Sequence, residues 1–230
     1  RRYGEHDVLE TRKFFHHSEK VIQFRRDLDM EGDKLNWSDK KIGEQMLAQT
    51  LGRSITHHWS DAQGRSVPRQ TPRQSIALGD LIFPYIRFDR VEFQRVRDWF
   101  AAQVITETKG VFDDVHATLD GFRFDFGTGG IHGSVERRAY HHVPGRSIVD
   151  VDVTSLYPSI AIVNNLAPAH LGHVFCETYA SMKRKRLEYA KGTPENGSLK
   201  LALNGAYGDS NNKYSFLYDP QFTMQITING

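Results

Sequence analysis

The chain changes its hydrophobic period twice, from a helical repeat to an alternation of two and back to a helical one. Val8, Phe14 or Phe15, Ile22 and Leu28 recur among many charges at helical spacing, which predicts a helix over residues 5–30. Ser38 is placed to cap a second helix reaching about Leu51, with Ile42, Met46 and Leu47 inward. Residues 52–75 carry Gly, Pro, Gln and Arg with little period and read as a surface connector. Asp89 stands as the cap of a third helix, with Phe93, Val96, Phe100 and Val104 along one face. From Val111 the period becomes two: Val115, Ala117 and Leu119, then Phe122, Phe124 and Phe126, with a hairpin turn at Asp120-Gly121. Glycines over 127–133 break this pattern before a strand resumes through Val135 to a turn at Pro144-Gly145. Another strand is expected over 147–153, followed by a turn and a short helix. The stretch 164–172 reads as a loop, 177–191 as a helix, 192–197 as a turn, and Ser198 as the start of a further helix. Phe222, Met224, Ile226 and Ile228 alternate as in a strand, but Pro220 suits a helix start and a helix is expected there.

The apolar run 147–153 carries an anomaly. Alternation puts Asp150 and Asp152 on one face of the expected strand and Val149, Val151 and Val153 on the other. Two carboxylates pointing together need a cation or good solvation. One reading is a divalent metal; the other is a strand end where both acids meet water or an arginine. The adjacent pairs His16-His17, His57-His58 and His141-His142 diverge on either kind of element and lack a Cys pair, so they read as surface histidines rather than zinc ligands. Arg53, Arg65, Arg69 and Arg73 can meet a nucleic-acid backbone, though solvated loop arginines are the commoner case.

Composition narrows the class without choosing a function. Hydrophobic residues at 39% and charged residues at 25% of 230 positions are those of an ordinary globular protein with room for a core. A net charge of +2 decides nothing by itself, because nucleic-acid binding depends on where charge lies. The lone cysteine, Cys176, excludes an internal disulfide and fits a reducing compartment. With no apolar run long enough to span a bilayer and no leader, the expected location is the cytoplasm, a host's cytoplasm if the source is a phage, with no membrane partner.

Two segments resemble motifs of the B-family DNA polymerases. Asp152-Val-Thr-Ser-Leu-Tyr-Pro-Ser-Ile160 is similar to motif A, DxxSLYPSI, and Lys200-Leu-Ala-Leu-Asn-Gly-Ala-Tyr-Gly208 to motif B, Kx3NSxYG, with Gly205 in place of the usual Ser. The resemblance implies that Asp152 is catalytic and a metal ligand, and that Ser155 and Leu156 lie in a turn facing phosphates. Tyr157 would lie under the incoming sugar and exclude a 2′-hydroxyl. Lys200 would grip the triphosphate, with Asn204 and Tyr207 framing the nascent base pair. Arg186, in the basic stretch Lys183-Arg-Lys-Arg186, would join the phosphate contacts. Tyr3 and Asp7 have the Tyr-x-x-x-Asp spacing of an exonuclease motif, in which Asp7 would bind a metal. An acid in a first helical turn is also ordinary dipole compensation. Gly129 and Gly130 occupy the place of a glycine motif that touches template DNA.

The fold so implied is α+β: an antiparallel palm sheet, a two-helix fingers hairpin and a mostly helical exonuclease remnant. Its expected divisions are residues 1–110 for the remnant and connector, 111–176 for the first part of the palm, 177–212 for the fingers and 213–230 for the return to the palm. The expected activity is template-directed addition of deoxynucleotides to a primer 3′ end, with 3′-5′ exonuclease in the full-length enzyme. Its partners would be primer-template DNA, dNTPs and missing polymerase portions that carry a thumb and a DTD motif. Two Mg²⁺ ions are implied, the second carboxylate lying outside this chain, so the 230 residues alone are expected to be inactive. The alternative is a split or degenerate subunit, non-catalytic, that binds DNA or a partner chain.

Overall fold

A computed structural model describes residues 2–59, 63–127, 130–135 and 137–230, with the backbone alone for Arg2, Tyr3 and Trp59. Helix α1 runs over Arg2–Asp27. Only the C-terminal part of its expected stripe is packed: Ile22 and Leu28 are half-buried, whereas Val8, Phe14 and Phe15 are exposed. What anchors α1 is polar. Arg25 donates to the carbonyls of Leu35 and Trp37 and pairs with Asp39, and Lys34 donates to the carbonyls of Arg26 and Leu28 at the helix's C-terminal end.

Helix α2, Asp39–Leu51, starts as its cap predicts, with the Ser38 hydroxyl accepting from the Lys41 N–H at 3.2 Å. Ile42, Leu47 and Leu51 are buried. The connector that follows is more ordered than its composition suggested. It holds a single turn, α3 (Arg53–Thr56), and a small antiparallel pair, β1 (His57–Trp59) with β2 (Ser66–Pro68). Arg73 is not a free loop arginine either; its guanidinium makes two 3.0 Å hydrogen bonds to buried Asp219.

Strand β3 (Ile76–Ala77) pairs with β4 (Val104–Ile105), flanking helix α4 (Val91–Ala101). Asp89 does not cap α4: Arg90 occupies that position, and no side chain bonds there. Phe93 packs edge-on against Phe124, and Phe100 against Phe112, as the stripe requires, but Val104 lies beyond the helix and is exposed. The period-two region forms an antiparallel sheet of β5 (His116–Leu119), β6 (Phe122–Gly127) and β7 (Gly130–Ser134). Asp120 (φ 52°) and Gly121 (φ 84°) both take positive φ, the conformation that lets a two-residue turn follow the strands' twist. The glycine cluster lies where β6 gives way to β7. Gly127 pairs with Gly130 and Phe124 with Gly133, so its later members are themselves strand.

The strand expected over 147–153 is the main correction. These residues join no ladder, and Val149, Val151 and Val153 are 73%, 81% and 56% exposed. A strand satisfies its backbone only through a neighbour, and among the described residues none pairs with this run. Helix α5, Leu156–Val163, then begins directly after Ser155, whose backbone is left-handed at φ 55°.

The helical hairpin is present with shifted ends. Helix α6 covers Gly172–Glu188 and α7 covers Pro194–Asp209, because Pro194 at the first helical position and Thr193 as N-cap start α7 inside the expected turn. Asn196 donates to the carbonyls of Arg186 and Tyr189, closing the end of α6. Helix α8, Pro220–Asn229, is the helix expected near the end, capped by Asp219. The main core joins Leu47 and Leu51 of α2, Phe175 and Tyr179 of α6, Leu199 and Leu203 of α7, and Phe222 and Ile226 of α8. A smaller cluster holds Ile76, Leu78, Leu81, Ile105 and Met224. The architecture is α+β with small antiparallel sheets. Among the described residues no helix is long and apolar enough to cross a membrane.

Candidate functional site

The turn before α5 and the α6–α7 hairpin meet through side chains that are remote in sequence. Ser155 would rarely adopt a left-handed backbone, which costs roughly 1–2 kcal/mol in an L-residue. Its carbonyl accepts from Ser159, both from the N–H at 2.9 Å and from the hydroxyl at 2.7 Å. Its own hydroxyl accepts from Nη1 of Arg186. One turn earlier on α6, Lys183 donates to the Ser159 hydroxyl at 2.7 Å. Spacing of three puts Lys183 and Arg186 on one face of α6, while Arg184 and Lys185 between them are exposed. Nε of Arg186 is buried without a hydrogen-bond partner, so this guanidinium retains a donor for a further acceptor.

Tyr157 projects from the first turn of α5 onto Tyr207 of α7, with ring centroids 4.3 Å apart and planes tilted by 34°. The Tyr207 hydroxyl lies 2.6 Å from Oγ1 of Thr227 on α8. Burial pushes the Tyr207 phenol upward from its usual range. The start of β7 comes to the same place. A Cβ on Gly130, whose φ is 128°, would stand 3.8 Å from the Tyr157 hydroxyl.

Of the residues expected from sequence, Ser155, Tyr157, Arg186 and Tyr207 are therefore brought together, with Gly130 at their edge. Lys200 and Asn204 are exposed on α7, two turns and one turn before Tyr207 respectively. Leu156 opens α5 and is exposed. Asp152 is exposed three residues before Ser155, and Asp150 is exposed as well, so neither acid is sealed in the core. Asp7 is exposed on α1, with Tyr3 in the same helix. Gly129 lies outside the described residues. Sequence reading missed Thr227, Lys183's bond to Ser159, and the Arg73–Asp219 pair. The Thr-x-x-x-Thr spacing of Thr223 and Thr227 was the available signal for the first.

Asp152 and Asp150 are hard oxygen donors of the kind Mg²⁺ takes. Among the described residues, however, no group of three His, Cys, Asp or Glu side chains converges. Compared with protein-family models, curated proteins and solved structures, the chain gives no match.

Proposed function

We propose that this chain carries part of the nucleotide site of a B-family DNA polymerase. It would serve template-directed attack of a primer 3′-hydroxyl on the α-phosphate of a dNTP, with release of pyrophosphate. The observation that supports this most is the convergence of Ser155 and Tyr157 with Arg186 and Tyr207. The pattern of the first two resembles one motif; Tyr207 belongs to a second, matched independently.

In this reading each side chain has a physical task. Arg186 and Lys183 exchange the serine hydroxyls for triphosphate oxygens, a stronger, charge-assisted contact. The Tyr157 ring forms the floor beneath the sugar, and Tyr207 and Asn204 bound the base pair. Lys200, exposed on α7, adds a compact positive charge toward the outer phosphates. Asp152 would be this chain's ligand to Mg²⁺, completed by nucleotide phosphates and a carboxylate outside the described residues. When bound, that ion neutralises charge developing on the attacking and leaving oxygens. The run 147–153 would gain a strand neighbour in the assembled palm.

The second reading is a non-catalytic subunit that binds DNA or a partner chain, and the exposed, unladdered run 147–153 favours it. Asp152→Asn, made in the protein that carries this chain in full, separates the two. We expect primer extension to fall by about 10³-fold, the upper range for losing a group that stabilises transition-state charge, while DNA affinity changes little. Undiminished extension by the variant removes Asp152 from catalysis. A parent protein that binds DNA and never extends a primer supports the second reading.

A further inference from the structure

The polymerase reading leaves open what holds the Tyr157–Tyr207 pair in place, and a circuit of hydroxyls and backbone carbonyls joining the C-terminal end of α7 to α8 supplies the answer. Thr227 Oγ1 donates to the Thr223 carbonyl at 3.1 Å, and Ser210 Oγ donates to the Tyr207 carbonyl at 2.6 Å. Both protons are thereby committed. It follows that the Tyr207 phenol donates to Thr227, across 2.6 Å, and the Thr223 hydroxyl donates to Ser210, across 2.7 Å. Four hydroxyl protons meet four acceptors, and the circuit ends on the backbone of the residue where it began. Ser210, Thr223 and Thr227 are 0%, 7% and 8% exposed, so water cannot readily replace a lost partner.

We propose that Thr227 is a positioning residue for sugar selection. By accepting the phenol proton it fixes the far end of the Tyr207 ring, and Tyr207 is the wall against which the Tyr157 ring lies. The clearance above Tyr157, where a 2′-hydroxyl separates ribonucleoside from deoxyribonucleoside triphosphates, is then set from α8. Thr227 itself touches no substrate. The inference rests on the polymerase reading and adds to it a residue that no motif contains.

The test measures kcat/KM for a dNTP and its matching rNTP in primer extension by the full protein. Thr227→Val removes the acceptor at nearly constant shape, Tyr207→Phe removes the donor, and Thr227→Ser restores the hydroxyl. Each of the first two is expected to lower the dNTP over rNTP preference about tenfold, equivalent to ~1.4 kcal/mol. The double variant should fall no further, because both changes delete one bond, and Thr227→Ser should retain the parent preference. Unchanged preference in both single variants overturns the inference, and so does an additive loss in the double. Should Thr227→Val fail to fold, Tyr207→Phe decides alone, since it keeps the ring. Absence of Mg²⁺-dependent extension by the parent protein overturns the polymerase reading itself, and the inference with it.

Discussion

Asp219 is the side chain whose removal should damage the fold most. It is 1% exposed and accepts four hydrogen bonds: Arg73 Nε at 3.0 Å and Gln221 N at 3.1 Å on one oxygen, Arg73 Nη2 at 3.0 Å and Ala169 N at 2.9 Å on the other. One carboxylate thus joins the connector, the loop before α6 and the first turn of α8. Its hydrogen bonds push the Arg73 guanidinium further above an already high pKa. Breaking one side of a buried pair costs about 3–5 kcal/mol, because the partner charge is left without compensation. The Arg73 side chain is 27% exposed and can recover some water, so the low end, about 3 kcal/mol, applies. Loss of the N-cap adds about 1 kcal/mol. Asp219→Ala should therefore cost about 4 kcal/mol, a large share of the roughly 5–15 kcal/mol typical of a domain. Urea unfolding followed by far-ultraviolet circular dichroism reads this directly. Arg73→Ala should also cost about 3 kcal/mol or more, since the carboxylate it leaves behind is only 2% exposed and keeps just two backbone donors. The reasoning is refuted if either substitution costs under about 1 kcal/mol.

Two further predictions concern stability. Burial lowers the pKa of His170, which bonds the Phe216 carbonyl and the Thr71 hydroxyl. The folded state thus prefers the neutral ring, and its stabilisation is complete above the unfolded value near 6.5 and lost as pH falls through the lowered folded value. The urea midpoint should drop from pH 7.5 to 5. His170→Gln should flatten that slope without abolishing it, since burial also lowers His57. Between α2 and α7, two glycines should respond with opposite sign. A Cβ at Gly43 would stand 2.4 Å from Cα of Ala202, so Gly43→Ala forces the helices apart at about 1–3 kcal/mol. At Gly205 the nearest atom is Lys40 Cγ at 3.8 Å, so Gly205→Ala should gain about 0.5–1 kcal/mol of helix propensity. Thermal midpoints of the two variants moving the same way would refute the packing argument.

What the sequence disclosed was local. Ser38 and Asp120-Gly121 act through their own neighbours within a few residues, and both formed as their chemistry requires. Hidden were the contacts between distant segments: Arg73 looked like any loop arginine until Asp219, 146 positions away, appeared beside it. Val104 continued a helical stripe in sequence, yet the helix ended first and left it exposed on β4. The run 147–153 failed for a further reason. Alternation establishes which residues share a face, but a strand also needs a partner, and the sequence of one strand does not name it.

The two halves of the candidate site are coupled through one strained residue. Ser155 holds a left-handed backbone at roughly 1–2 kcal/mol, and part of what offsets this is the hydrogen bond from Arg186 to its hydroxyl. That arginine also sits beside the end of α6, where Asn196 of α7 binds its carbonyl. A ligand drawing the guanidinium away from Ser155 therefore weakens the support of the turn before α5 and loads the α6–α7 junction at the same time. Tyr157, two residues beyond Ser155, packs against Tyr207, whose hydroxyl is bonded to Thr227 of α8. The turn thus has one restraint that an anion can displace and one that it cannot. Under the polymerase reading, phosphate binding can rearrange the turn while the surface beneath the sugar keeps its place.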